Sequence, residues 1–287
     1  MIENRCLKET SFDYAKGSSI GCGGRAPAAF YPETVEELVL LIKEFQEKGV
    51  PFTMLGNLTN VLPPDGESET WVISTKKLAK IERTDSGVFA LAGVTSGLLL
   101  KECKQCCLSG AEFLEGIPCT LGGALYMNAG VSGKYIAEIV ESVSVLRSGK
   151  LVVLEKTECD YAYKSSVFMR SNDVIVGARL RMEEASEEII LKRISYYRAK
   201  RAHLPKGKSM GCVFKNPTGQ VAGKLIEGAG LKGLRVGGAV VSTEHANFII
   251  NDKNATSTHI KTLIMLIKNA VFAQYKIRLE EEIRYLP

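Results

Sequence analysis

The stretch that most constrains this chain is residues 116–130, Gly-Ile-Pro-Cys-Thr-Leu-Gly-Gly-Ala-Leu-Tyr-Met-Asn-Ala-Gly. Four glycines, a proline, Thr120 and Asn128 stand among apolar residues. That is too much backbone freedom for a plain helix or strand and too little charge for a solvated loop. It reads as a binding loop. Gly122-Gly123 removes two Cβ atoms, so a ligand can approach bare backbone N–H groups, which favour phosphate oxygens and above all a pyrophosphate. A tight turn packed against another element has the same composition.

A chain of 287 residues with 45% hydrophobic content is globular and long enough for two or more domains. The 37 Lys and Arg against 32 Asp and Glu leave +5, without a run of five like charges or a basic helix with interleaved aromatics, so nucleic acid is not an expected partner. Eight cysteines are too sparse for a disulfide scaffold, and residues 1–10 are polar and charged, which together point to a reduced, cytoplasmic protein. Cys103, Cys106 and Cys107 lack the second pair or nearby histidines that a metal site needs, so no metal is expected. No apolar run reaches the about 18 to 20 residues that span a bilayer.

Residues 18–29 form a first Gly-rich turn, followed by a helix announced by Thr34 and Glu37 and closed by Gly49, then a buried strand over 51–55. That strand ends in Gly56-Asn57-Leu58-Thr59-Asn60, a small polar loop at the C-terminal end of a strand, where α/β sheets bind ligands. Strands are expected at 71–74 and 88–92, a helix capped by Thr95 over 96–108, and an antiparallel sheet from 143–146, 151–154 and 174–182, with a turn at 148–150. A charged helix over 187–200 opens a further domain. Beyond it come a helix at 222–229, strands at 239–242 and 247–251, an amphipathic helix over 258–275 and a closing strand over 277–286.

Two phosphate motifs fail on context. Residues 228–233 match G-x-G-x-x-G, but a helix precedes and a strand follows, the reverse of a dinucleotide site; Gly207-Lys208-Ser209 lacks the first glycine of a P-loop, with Ala202 in its place. Three side chains remain as candidate chemistry: Lys164 in Tyr-Ala-Tyr-Lys-Ser-Ser, Cys212 between Gly211 and Val213, and Glu282 on the last strand. A thiol ionises near about 8.5, so it holds a proton at neutral pH and can give it up. Equally, a lone cysteine serves as a small buried hydrophobe, and Lys164 and Glu282 as solvated surface charges.

Seven motifs occur in order: Gly21-Cys22-Gly23-Gly24, the 56–60 loop, residues 116–130, Gly211-Cys212-Val213-Phe214-Lys215-Asn216-Pro217, Ala222-Gly223-Lys224-Leu225-Ile226-Glu227 with Gly230-Leu231-Lys232-Gly233, His245-Ala246-Asn247-Phe248, and Glu282-Ile283-Arg284. Over nearly the whole chain they resemble the UDP-N-acetylenolpyruvoylglucosamine reductase family, in its shorter type II form. The resemblance implies an α+β flavoenzyme, with a two-part FAD-binding module of the vanillyl-alcohol-oxidase kind and a C-terminal substrate domain. Its parts would be residues 1–80 and 81–185 for FAD, 186–275 for the substrate, and 276–287 as a strand returning to the FAD module.

It further implies FAD and NADPH as cofactors and an enolpyruvyl UDP-sugar as substrate, reduced to UDP-N-acetylmuramate for peptidoglycan. FAD would be held by Gly23, Gly24, Gly56, Asn57, Thr59, Asn60, Gly116, Pro118, Thr120, Gly122, Gly123, Asn128 and Gly130, and the UDP-sugar by Lys215 and Asn216. Hydride arriving at the enolpyruvyl double bond builds negative charge on the carboxylate, which must be stabilised and then quenched by a proton. By motif, Lys164 and Glu282 fall at the carboxylate-polarising positions and Cys212 at the proton donor's. To assist rather than repel, Glu282 must carry a proton or act through water.

Two departures stand out. Lys164 replaces an arginine of the family, keeping charge but losing the planar fork that grips a carboxylate twice. Leu58 puts a branched side chain where the family's Gly-Gly-Gly-Ser-Asn has glycine, against close backbone approach to a pyrophosphate. They leave two other readings open: an FAD-binding oxidase of another small substrate, and a degenerate paralogue that binds FAD or the UDP-sugar without turnover.

Overall fold

The computed structural model describes residues 6–287; of the polar opening segment, residues 1–5 lie outside the described residues. The chain forms two compact units. The first holds Ala29–Asn57 and Val72–Ala202 with the described residues up to Glu9; the second holds Thr10–Ala28, Leu58–Trp71 and His203–Pro287.

In the first unit the expected helix runs Val35–Glu47, with the Thr34 hydroxyl accepting the Glu37 N–H at 3.1 Å. It buries Leu38, Leu41, Ile42 and Phe45, the last edge-on to Phe30 at 5.1 Å. Strands Arg25–Tyr31 and Trp71–Ser74 pair in parallel at Ala29 with Val72 and Phe30 with Ile73, and Phe52–Leu55 flanks the latter. This is the β-α-β start read from the sequence.

The antiparallel sheet has five strands in the order Lys150–Glu155, Val140–Arg147, Val174–Arg181, Gly87–Leu91 and Ile81–Thr84. Arg147 faces Lys150, so the hairpin turn is the two residues Ser148 and Gly149, both at positive φ as a twist-matched two-residue turn requires. Against this sheet packs a core that includes Val143, Val145, Ala178, Leu180, Leu121, Ala124 and Leu125.

The helix expected over 96–108 ends at Gln105: Cys107 turns left-handed at φ +54, and Leu108–Ser109 becomes a strand paired with Glu183–Glu184. The sequence hid this stop because a cysteine takes the conformation that glycine usually marks.

In the second unit a three-stranded antiparallel sheet, Arg235–Val236, Ala239–Val241 and Ile249–Asn251, packs with the helices Ala222–Gly228 and Ser257–Tyr275. The G-x-G-x-x-G stretch is a helix end and turn, with Gly230 and Gly233 at positive φ. The closing strand is shorter than expected. Glu281 bridges Phe214, the chain bends at Ile283, and only Arg284–Tyr285 forms a ladder, parallel to Val61–Leu62. The segment changes partner midway, so no single strand can run through it. No helix among the described residues is long and apolar enough to cross a membrane.

Candidate active site

In the first unit two of the loops meet. Strand Phe52–Leu55 delivers Gly56 against Thr120, and a Cβ on Gly56 would be driven into the Thr120 hydroxyl, so glycine is what allows the approach. Asn57 Nδ2 donates to the Pro118 carbonyl at 3.3 Å. Arg201 Nε donates to the carbonyl of Gly116, which sits at φ +72.

Residues 116–130 are loop in their first part and helix in their second. Thr120 caps the helix Leu121–Met127 by accepting the Gly123 N–H at 3.4 Å, and Asn128 ends it at φ +44. The amides of Leu121 and Gly122 are not bare: they donate to the Val94 and Ala92 carbonyls at 2.7 and 2.8 Å. Gly122 meets Ala92, where a Cβ would lie 3.1 Å from that methyl. Gly123 is different. It is exposed, and only Thr120 Oγ1, at 3.5 Å, stands near the place of its missing Cβ. Of the paired glycines, the first is packed on one side against Ala92 and the second leaves open space beside the start of the helix, an opening that fits FAD.

Asn128 is buried and spends both ends of its carboxamide inside the protein. Nδ2 donates to the Ala162 carbonyl at 2.8 Å and Oδ1 accepts the Ala137 N–H at 3.2 Å. Ser166 Oγ adds a bond to the Tyr126 carbonyl at 2.7 Å. Between them lies a tight turn in which Ala162 and Ser165 exchange two backbone bonds of 3.1 Å, with Lys164 half-buried at φ +51. The short helix thus joins the Gly56–Thr120 contact at one end to the Lys164 turn at the other. Gly130 opens the hairpin to Lys134–Tyr135, where a Cβ would strike the Lys134 carbonyl.

In the second unit Gly24 lies against the Gly66 carbonyl and donates its N–H to Pro64, while Gly23, at φ +115, abuts Pro63. Leu58 takes φ +50, the conformation a glycine would take, and its side chain is only 4% exposed. Its side chain lies in the protein interior. Its carbonyl accepts from Ser19 N at 3.1 Å. Thr59 and Asn60 are half-buried, and Asn60 Nδ2 donates to the Glu282 carbonyl at 3.2 Å.

Cys212 and Glu282 lie on adjacent segments. Cys212 bridges Phe248, the Glu282 N–H donates to the Val213 carbonyl at 2.8 Å, and Lys215 N donates to the Glu280 carbonyl at 2.8 Å. Both reactive side chains are half-buried. Lys215 pairs with Glu280 at 2.6 Å, and Asn216 Oδ1 accepts the Ala222 N–H at 2.9 Å, closing the start of a helix. Burial lowers the basicity of His245, whose Nδ1 accepts the Asn247 N–H at 3.3 Å. Sequence reasoning missed Arg201, Ser19 and the role of Asn247; of these only Asn247 left a signal, in the His-x-Asn-Phe spacing.

Residues 26–155 match the family model described as an FAD binding domain, and residues 202–286 match that of the UDP-N-acetylenolpyruvoylglucosamine reductase C-terminal domain. The first match, with the sheet and loops above, defines an FAD-dependent oxidoreductase. UDP-N-acetylenolpyruvoylglucosamine reductases of Carboxydothermus hydrogenoformans and Lactiplantibacillus plantarum are 39% and 35% identical to the chain, each over 92% of it, and over 89% and 88% of their own lengths. The crystal structure of the Thermus caldophilus enzyme superposes with a TM-score of 0.84 at 34% identity, covering 99% of both chains. The chain belongs to the UDP-N-acetylenolpyruvoylglucosamine reductase family. A solvent-stable cholesterol oxidase, at 18% identity and a TM-score of 0.50 over 62% of this chain and 38% of its own, shares the fold alone.

Proposed function

We propose that the protein reduces UDP-N-acetylglucosamine enolpyruvate to UDP-N-acetylmuramate at the expense of NADPH, a cytoplasmic step in peptidoglycan precursor synthesis. The observation that carries this reading is the juxtaposition of Cys212 and Glu282 on backbone segments joined by the Val213 to Glu282 hydrogen bond, within a chain that matches the family along almost its whole length. Bound FAD supplies the two-electron carrier between NADPH and the enolpyruvyl double bond. Gly116, Pro118, Thr120, Gly122 and Gly123 would hold it beside the opening at Gly123, with Gly56, Asn57, Thr59 and Asn60 of the 56–60 loop and Gly23 and Gly24 of the first Gly-rich turn.

The chain's own chemistry is then electrostatic and protonic. Lys164 stabilises charge that grows on the substrate carboxylate, Glu282 assists with a proton of its own or through a water, and the Cys212 thiol delivers the proton that completes the reduced product. Lys215 and Asn216 recognise the UDP-sugar, Lys215 by exchanging Glu280 for a phosphate. Asn128 and Gly130 would join the residues that hold FAD, Asn128 while also shaping the backbone through its bonds to Ala162 and Ala137. The reading keeps the division into two FAD-binding parts, 1–80 and 81–185, a substrate part over 186–275 and a returning segment over 276–287; the family models, over 26–155 and 202–286, support only the change of module between residues 155 and 202.

The test is product formation. Purified protein with FAD, NADPH and the enolpyruvyl UDP-sugar should yield a product two hydrogens heavier, seen by mass spectrometry. NADPH oxidation in air that leaves the sugar unchanged would instead indicate an oxidase.

A further inference from the structure

The His245-Ala246-Asn247-Phe248 motif has no place in the chemistry above, yet its asparagine is bonded almost entirely to the segment that carries Cys212. Asn247 is 3% exposed. Its Oδ1 accepts the Phe214 N–H at 2.9 Å and its Nδ2 donates to the Phe214 carbonyl at 2.8 Å. Its backbone carbonyl accepts the Val213 N–H at 2.8 Å, and the next residue, Phe248, bridges Cys212.

A carboxamide has the donor and acceptor of a peptide group, so this one side chain does for Phe214 what a neighbouring strand would do. The opposite edge of the segment is held by Glu282 N–H and by the Glu280 carbonyl. Val213 and Phe214 are each 1% exposed, so backbone groups released here have no water to turn to. The segment is gripped on both edges immediately beside the half-buried thiol.

Resting on the reading of Cys212 as proton donor, we propose that Asn247 is its positioning residue: it fixes the register of 212–214 against 247–248 and thereby where the Cys212 thiol stands. The proton-delivery step should then depend on Asn247 only while Cys212 is present. A merely structural role would instead lower both half-reactions, whatever residue stands at 212.

The experiment is a double-mutant cycle on the holoenzyme, with flavin reduction by NADPH and flavin reoxidation by the enolpyruvyl UDP-sugar measured separately. Asn247→Ala should slow reoxidation by about 100-fold, the scale of a misplaced catalytic group, and leave flavin reduction within about twofold. Added to Cys212→Ala it should slow reoxidation no further. In the protein without FAD, iodoacetamide should label Cys212 several-fold faster in Asn247→Ala, while the exposed Cys107 reacts at an unchanged rate. If Asn247→Ala does not fold, the isosteric Asn247→Asp, which keeps the acceptor and loses the donor, takes its place in every arm. Additive losses, or equal loss in both half-reactions, would overturn the inference about Asn247. Wild-type reoxidation in Cys212→Ala alone would overturn the assignment of Cys212 itself.

Discussion

Asn128 holds Ala162: its Nδ2 donates to the Ala162 carbonyl at 2.8 Å, across 34 residues of sequence, and so ties the end of one helix to the turn that carries Lys164. The same residue also accepts the Ala137 N–H at 3.2 Å and sits at φ +44, where asparagine is tolerated and alanine strained. Asn128→Ala should therefore cost about 1 to 2 kcal/mol in backbone strain plus about 1 kcal/mol for each lost hydrogen bond. Asn128→Gly, free of the strain, should lose only the bonds. Urea unfolding should rank the wild type above glycine and glycine above alanine; equal glycine and alanine variants would show that φ contributes nothing.

Lys164 at φ +51 sets stability against activity. Lys164→Gly should raise stability, by up to about 1 kcal/mol, because the strain of a left-handed side-chain-bearing residue disappears. It should also slow sugar-dependent flavin reoxidation by about 10- to 100-fold, the worth of one charge-assisted hydrogen bond. Lys164→Arg should preserve or raise that rate, since the fork grips a carboxylate in two places. A fall on arginine substitution would mean that the turn has been shaped around lysine.

At Leu58 two effects oppose. Glycine would relieve about 1 to 2 kcal/mol of strain at φ +50, but removing a leucine only 4% exposed costs about 2 to 5 kcal/mol. Burial wins, so Leu58→Gly should lower the melting temperature although it removes the strain. FAD affinity, titrated by fluorescence quenching, should change little, because the leucine already holds the glycine-like conformation.

Much of this was legible in the sequence because periodicity reports burial. The helix Val35–Glu47, the Arg147–Lys150 hairpin and the helix Ser257–Tyr275 all follow from apolar spacing and caps. Positive φ at residues other than glycine was not legible: Cys107, Leu58 and Lys164 carry no local mark of it. Nor was the use of buried carboxamides. Asn128 and Asn247 read as ligand-binding or unassigned polar residues, and only tertiary contact reveals that each replaces a missing peptide neighbour for a distant segment. The motif order could identify the family, but it could not tell a glycine that stands open, such as Gly123, from one packed against the Ala92 methyl, such as Gly122.

Asp65 gives the second unit an acid limit. Burial works against its charge, but hydrogen bonds from Thr258 and Ser257 outweigh burial and hold its carboxyl below the usual range. The bonds, to Ser257 N at 2.6 Å, Thr258 N at 2.8 Å and Thr258 Oγ1 at 2.7 Å, close the start of the helix Ser257–Tyr275. A carboxyl whose folded pKa lies below its unfolded value stabilises above the unfolded value, about 3.9, and the contribution is lost as pH falls through the folded value. Asp65→Asn keeps one oxygen acceptor but loses the charge and the second acceptor, so it should melt lower than wild type at pH 7 by the equivalent of about 0.5 to 1 kcal/mol, with the gap closing as pH falls below the unfolded value. A gap that stays constant with pH would assign the effect to packing rather than charge.

The most direct test of the central claim, one flavin serving two half-reactions of which only the second needs Cys212, is anaerobic sequential-mixing absorbance. Wild-type protein with FAD should bleach on mixing with NADPH and regain its colour on mixing with the enolpyruvyl UDP-sugar; Cys212→Ala should bleach at nearly the same rate and regain colour far more slowly. Recovery in Cys212→Ala as fast as in wild type, or a wild-type flavin that reoxidises only in air, would contradict the account.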